Sequence, residues 1–184
     1  MEKSESENPA SQTCRGCILV NGRSPNDFLM CTGFRVIPRF RELILHPHCK
    51  EQWSNFRFPK FLDKMPLVPK VILLEIVHES SKLFGSQLTK TTKDKHVADA
   101  LSDLLMVLHK ISTDWTQCVM SSTFKVPKLK KKTRQIKKYF GRMEAFLKKK
   151  DYSHCALATV TNEMESAMMF VNRHTDILWK REKQ

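Results

Sequence analysis

Apolar residues recur at helical spacing through most of this chain, and four segments carry the pattern clearly. The clearest segment repeats an apolar residue at alternating steps of four and three, which builds one continuous face of an amphipathic helix. Its members are Val97, Leu101, Leu104, Leu108, Ile111, Trp115 and Cys118. An earlier helix is predicted over residues 71–84, because Pro69 suits a first helical turn and Gly85 suits a helix end.

Two further helices are predicted in the C-terminal part of the chain. The first is marked by Ile136, Phe140, Met143 and Leu147, and the second by Leu157, Val160, Met164, Ala167, Val171 and Leu178. A broken apolar segment covers residues 28–45, where Gly33 and Pro38 should kink or end any helix. No stretch predicts a convincing strand, so the pattern indicates an all-α protein.

Two long connections separate the predicted helices. Residues 46–69 contain four prolines, and a basic link surrounds Pro127. Four helices joined by two long crossovers run up-up-down-down in the growth hormone and cytokine bundles. We therefore expect that topology in a single helical domain over residues 31–184, after a polar and partly disordered lead-in of residues 1–30.

The charge of the chain narrows the choice of partners. Its 184 residues have a formal net charge of +13, which favours nucleic acid, sulfated glycans, anionic lipid or an acidic protein surface. Residues 125–138 are the most basic segment, and no aromatic residue interleaves with their cations, which weakens a single-stranded nucleic-acid interpretation. The segment is either the solvated face and entry loop of a helix, or a functional patch that binds heparan-type glycan, RNA or DNA or serves as a nuclear localisation signal. The glycan-binding candidates within it are Lys128, Lys130, Lys131, Lys132 and Arg134.

Signs of catalysis or of a cofactor are weak. The chain has no G-x-S-x-G motif, no P-loop and no glycine-rich phosphate cradle. The Cys14-Arg-Gly-Cys17 motif has redox or metal spacing, but no second pair or βαβ pattern accompanies it. His46-Pro-His48-Cys49 lacks further ligands at workable spacing. We therefore expect a protein without enzyme activity, metal or cofactor.

The cellular compartment is left open by these features alone. The six cysteines permit 15 full pairings, so their number gives no connectivity. The first thirteen residues lack the apolar stretch of a signal peptide, and no apolar run approaches the roughly 20 residues that a membrane helix needs. The chain either stays inside the cell or corresponds to a mature secreted protein.

Residues 138–156, KYFGRMEAFLKKKDYSHCA, resemble the type I interferons. The family's pattern here is a basic residue, two aromatics, a Gly or polar residue and Arg, then a lysine-rich turn and Tyr-Ser-x-Cys-Ala. The Ser-His-Cys-Ala form is nearest to the interferon-β-like members. A second match is Cys49 followed by Asn55-Phe56-Arg57-Phe58-Pro59, which is similar to the connection between the family's first two helices. The resemblance covers residues 49–184.

The resemblance implies a fold, a set of disulfides and a function. It implies a five-helix bundle with a disulfide between Cys49 and Cys155, and a second bridge from Cys118 to Cys17 or Cys14. It also implies a secreted cytokine that bridges a heterodimeric class II cytokine receptor and triggers JAK/STAT antiviral and immune signalling. The alternative function is a basic helical module that binds nucleic acid or heparan-type glycan through residues 125–138.

The resemblance further implies two receptor-binding sides. The side for the high-affinity receptor chain comprises Lys50, Trp53, Thr161, Asn162, Glu165, Ser166 and Met169. The side for the second receptor chain comprises Phe84, His109, Lys137 and Arg142. The chain departs from the family pattern at Lys50, which is commonly Leu, and at Trp53, Thr161 and Ser166, which are commonly Arg. Losing guanidinium groups from a receptor interface should lower its affinity.

Overall fold

The structure is a computed structural model that describes Cys49 and residues 54–85, 95–121 and 129–182. The side chains of residues 117–121, and of a few other helical positions, are not among the described ones. The predicted lead-in of residues 1–30 and the broken segment of residues 28–45 lie outside the described residues. Those two predictions, and the up-up-down-down order of the helices, stay predictions.

The described residues form four α-helices and no strand, which confirms the all-α prediction. In chain order the helices are α1 (Lys70–Leu83), α2 (Lys95–Ser121), α3 (Leu129–Lys149) and α4 (His154–Glu182). Every helix predicted from the apolar repeat is present. The longer helices extend beyond their apolar markers because charged and polar residues continue the helical backbone at both ends. None of the described helices is both long and apolar enough to cross a bilayer.

Helix α1 lies at the centre of the described bundle and packs against the other three helices. Pro69 precedes it at the N-cap, where its carbonyl oxygen accepts hydrogen bonds from the N–H groups of Ile72 and Leu73 at 2.9 and 3.3 Å. The central position requires a helix that is apolar on several sides. The buried hydroxyl of Ser80 in α1 is satisfied within the helix, since it donates to the Ile76 carbonyl at 2.6 Å.

Helices α3 and α4 are joined through a buried tyrosine. Tyr139 of α3 is buried in the core, and its hydroxyl donates to Glu163 Oε1 of α4 at 2.7 Å. Burial raises the pKa of Tyr139 well above its ordinary value, and the hydrogen bond to the Glu163 carboxylate adds to the rise. The phenol therefore stays protonated and acts as a hydrogen-bond donor between the two helices.

A tight turn reverses the chain between α3 and α4. Asp151 and Tyr152 both have positive φ, at 48° and 50°, and the Tyr152 N–H donates to the Leu147 carbonyl at 2.9 Å. This turn places Cys155 in the first turn of α4. Because the turn is short, the position of Cys155 is fixed relative to the end of α3.

Cys155 forms a disulfide with Cys49, which confirms the first implied bridge. The two Cα atoms are 4.9 Å apart and the cysteines are 106 residues apart in the chain. Because its sulfur is consumed in this bond, Cys49 has no thiolate to offer a metal. The described residues contain no group of three or more His, Cys, Asp or Glu that would hold a metal ion. Cys17 and the side chain of Cys118 lie outside the described residues.

Candidate functional site

The first connection runs without a helix from residue 54 to the start of α1, and its sequence explains its path. The Asn55 side-chain oxygen accepts a hydrogen bond from the Arg57 N–H at 2.8 Å, which closes a small Asx-type turn. Arg57 adopts a positive φ of 55°. Phe56 is buried between these two residues and meets Phe146 of α3 edge to face, with ring centroids 5.4 Å apart.

Helix α3 holds this connection through two basic side chains. Arg142 donates from Nε to the Phe56 carbonyl at 2.8 Å and from Nη2 to the Arg57 carbonyl at 3.0 Å. One planar guanidinium thus bridges two consecutive carbonyl groups, and we call this pair of hydrogen bonds the Arg142 clamp. About three turns earlier, Lys132 lies over the Phe61 ring, with Nζ 5.8 Å from the ring centroid and 3.6 Å from Met65 Sδ.

A row of aromatic rings carries the connection across to α4. Phe58 lies between Tyr139 and Phe170, at centroid distances of 5.3 and 5.5 Å. Phe170 in turn contacts the His174 ring at 4.3 Å. Burial holds the pKa of His174 below its ordinary value, and the adjacent Arg173 charge lowers it further. The first connection is therefore packed directly against α4.

The outer face of α4 carries polar residues around one exposed apolar side chain. Met169 is 58% exposed, and Ser166 and Arg173 are exposed on either side of it along the helix. Asn162 and Glu165 are half-buried on the same stripe, since positions three or four residues apart share a helix face. Polar residues around an apolar anchor are typical of a protein-binding surface.

A second exposed surface involves α2, α1 and α3. Met106 of α2 is 67% exposed, and His109 follows one turn later beside a groove between α1 and α2. Lys137 of α3 is 59% exposed at its side chain, and its Nζ lies 3.3 Å from Glu75 Oε1 of α1. Met106 and Met169 are the large exposed apolar residues in the part of the chain that the structure describes.

The sequence is similar to known proteins over most of its length. The model of the interferon alpha/beta domain family matches residues 40–178, which is most of the chain. The chain belongs to the type I interferon family. Interferon beta of Equus caballus is 26% identical to it over 137 residues, covering 71% of this chain and 72% of the relative. Interferon beta of Homo sapiens is 26% identical over 138 residues, with the same two shares.

In this interferon, the residues that carry the family pattern have structural roles. Cys49 and Cys155 form the disulfide, while the Asn-Phe-Arg-Phe segment makes the turn and the aromatic contacts of the connection. The Tyr-Phe-Gly-Arg segment supplies the buried Tyr139 and the clamp residue Arg142. The segments that identify the family are therefore the ones that fasten the first connection to α3 and α4.

Two of the residues that the resemblance assigns to receptor contacts have buried side chains in this structure. Thr161 is 2% exposed, and its hydroxyl donates to the Leu157 carbonyl at 2.8 Å. Phe84 is 0% exposed and belongs to the core at the end of α1. Both positions were transferred from a resemblance, whereas the rotation of each helix decides which side chains reach solvent.

The other predicted residues lie in different parts of the structure. Asn162, Glu165, Ser166 and Met169 share the outer stripe of α4, and His109 and Lys137 lie on the second surface. Arg142 is exposed, but its guanidinium holds the first connection. Lys50, Trp53 and Lys128 lie outside the described residues.

Of the glycan-binding candidates, Lys130, Lys131 and Arg134 are exposed, while Lys132 is half-buried against the connection.

Sequence reasoning missed two exposed residues on these surfaces, Met106 and Arg173. Met106 carries a signal that a pattern search can use, because it is a large apolar residue off the apolar face of an amphipathic helix. Arg173 follows Met169 by four residues, which extends the α4 stripe by one turn. The helical spacing alone is enough to add it to the predicted set.

Proposed function

We propose that this interferon is a secreted cytokine that bridges two different receptor chains outside the cell and triggers JAK/STAT antiviral and immune signalling. Membership of the interferon alpha/beta family supports a cytokine function. The observation that carries the proposal is the first connection, which the Cys49–Cys155 disulfide and the aromatic row join to α4. The family resemblance assigns these two segments to one receptor site, and here they are physically continuous.

We propose that the high-affinity receptor chain binds the outer stripe of α4 together with the adjoining connection. Met169 would be the apolar anchor, with a rim of polar side chains from Asn162, Glu165, Ser166 and Arg173. Lys50 and Trp53 belong to this proposal through the resemblance alone. Thr161 is replaced by its exposed neighbours because its own side chain faces the core.

We propose that the second receptor chain binds the surface around Met106, His109 and Lys137. Phe84 supports this surface from beneath, as part of the core that positions the end of α1. Arg142 contributes to the first site indirectly, because it holds the connection that the high-affinity chain contacts. The two exposed methionines, one on α2 and one on α4, then mark the two receptor sites.

Single substitutions at the two methionines test this assignment. Met169→Asp should weaken binding to the high-affinity receptor chain by about tenfold or more, because a central apolar anchor is replaced by a charge. Met106→Asp should weaken binding to the second chain and leave the first unchanged. Lys149→Asp, at an exposed position near the end of α3, is the control and should leave both unchanged.

The readout is STAT phosphorylation in cells of the protein's own species, alongside binding to each purified receptor chain. Both methionine variants should reduce signalling, whereas the Lys149 control should not. If the folded, oxidised wild-type protein binds neither receptor chain and gives no STAT phosphorylation at micromolar dose, the proposed function is wrong. If it signals but both methionine variants behave as wild type, the function stands and the two surfaces are wrong.

A further inference from the structure

Four basic side chains lie exposed on the outer side of the first turns of α3: Lys130, Lys131, Arg134 and Lys138. We call these four residues the basic face. No acidic side chain among the described residues forms an ion pair with any of them. Gly141 follows on the same side of the helix, where a Cβ atom would meet nothing within 4 Å. At Gly141, therefore, no described residue covers the surface next to the basic face.

The placement of these cations opposes the electrostatics of the helix that carries them. Arg134 lies three or four residues from each of the other three, and like charges at that spacing destabilise a helix. The first turn of α3 contains lysines and no acidic residue, although the positive end of the helix dipole disfavours cations there. A charge pattern that costs local stability indicates a role outside folding.

Four other cations of α3 are already engaged. Lys137 pairs with Glu75, and Lys148 pairs with Glu144 at 2.7 Å. Arg142 donates to two carbonyl groups, and Lys132 lies over Phe61. The basic face differs from these residues because its charge meets no partner in the described part of the protein. An anionic ligand is the partner that its chemistry fits.

We propose that the basic face is a binding site for a sulfated glycosaminoglycan chain. The four side chains span about 12 Å of helix axis, at 1.5 Å per residue, so the ligand must carry several anionic groups in a row. No aromatic side chain lies among them to stack on a base, which disfavours single-stranded nucleic acid. The Cys49–Cys155 disulfide is typical of the oxidising extracellular space, where sulfated glycans occur.

Binding to a heparin oligosaccharide of defined length tests the proposal without any receptor. The basic-face variant replaces Lys130, Lys131, Arg134 and Lys138 with Gln. The matched control replaces four exposed lysines elsewhere with Gln, namely Lys82, Lys95, Lys149 and Lys150, so both proteins lose the same charge. At about 0.15 M ionic strength the basic-face variant should bind at least about tenfold more weakly than wild type, and the control within about threefold.

Two further measurements test the site: the salt dependence of heparin binding and binding to other polyanions. The slope of log affinity against log salt should become shallower by about three in the basic-face variant and by less than one in the control. An equal loss in both variants would show attraction by net charge alone and would overturn the site. Tighter binding to duplex DNA, or undiminished binding to desulfated heparin, would also overturn it. Circular dichroism and a disulfide map establish that each variant is folded.

Discussion

The clamp that Arg142 forms on the first connection permits a quantitative prediction. Arg142→Ala removes two hydrogen bonds from a cationic donor to the carbonyl groups of Phe56 and Arg57. Such bonds contribute about 1.5 to 3 kcal/mol each when the charged partner is shielded from water. Arg142 is exposed, so water replaces part of each bond in the variant. We therefore expect a total loss of about 1 to 3 kcal/mol in the free energy of unfolding.

The backbone conformation of Arg57 also affects the size of this loss in stability. A non-glycine residue at positive φ costs about 1 to 2 kcal/mol, and the bond from Arg142 helps to hold Arg57 in that conformation. Without the clamp, the segment is free to relax to a more common conformation. The Asx-type turn of Asn55 remains and limits this relaxation. The structural change should therefore stay local and not extend to the whole connection. The loss in the free energy of unfolding should then stay within the range given above.

Urea unfolding with the disulfide intact measures the loss directly. Arg134→Ala is the matched control, because it removes an exposed arginine from the same helix and should change stability by less than about 0.5 kcal/mol. Arg142→Lys should recover less than half of the loss, since one ammonium group does not bridge two carbonyls as a guanidinium does. Equal stabilities for Arg142→Ala and Arg134→Ala would refute the clamp.

The same variants separate two roles of Arg142 under the proposed function. If it positions the connection, Arg142→Ala should weaken binding to the high-affinity receptor chain and spare the second chain. A direct contact with the second chain, as the family resemblance implies, would produce the opposite result. Binding of each variant to each purified receptor chain distinguishes the two roles, and Arg142→Lys should give an intermediate affinity if positioning is the cause.

Three other substitutions test separate features. Replacing Cys49 and Cys155 with Ser should cost about 4 to 5 kcal/mol in urea unfolding, because the bridge closes 106 residues; a loss below about 1 kcal/mol would contradict the entropic reasoning. Gly141→Ala should raise stability by about 0.5 to 1 kcal/mol, since the added Cβ meets no atom, and a lower melting temperature would disprove this. The pKa of His174 is lowered, so protonation favours the unfolded state, and stability should fall as pH drops below about 6.5. His174→Gln should lose less stability than the wild type as the pH falls, and equal losses would contradict the prediction.

The sequence predicted the helices and one disulfide well, for different physical reasons. The apolar repeat located all four described helices because each must bury one face, and helical burial has a fixed period. The Cys49–Cys155 bridge came from a motif resemblance, since six cysteines alone leave the pairing open. Both signals are local in sequence or specific to a family, and neither depends on the path of the connections.

The surfaces were harder to predict because they depend on rotation and on distant contacts. Thr161 and Ser166 look alike in the sequence, yet one is buried and the other exposed, because each helical step turns the side chain by about 100°. The role of Arg142 depends on carbonyl groups about 85 residues earlier in the chain. No periodicity along α3 reveals that those carbonyls lie within reach of the guanidinium.

Helix α3 explains why one residue type has several roles within a short segment. Lys130 and Lys131 point to solvent, whereas Lys132, one further step around the helix, lies over an aromatic ring of the connection. Lys137 turns toward α1 and pairs with a carboxylate, while Lys138 returns to the outer side. Lys137 therefore belongs to the proposed second receptor site, whereas the next residue, Lys138, belongs to the proposed glycan site. Because Lys137 pairs with Glu75 of α1 whereas Lys138 forms no ion pair among the described residues, substitutions at Lys137 and at Lys138 should affect different partners.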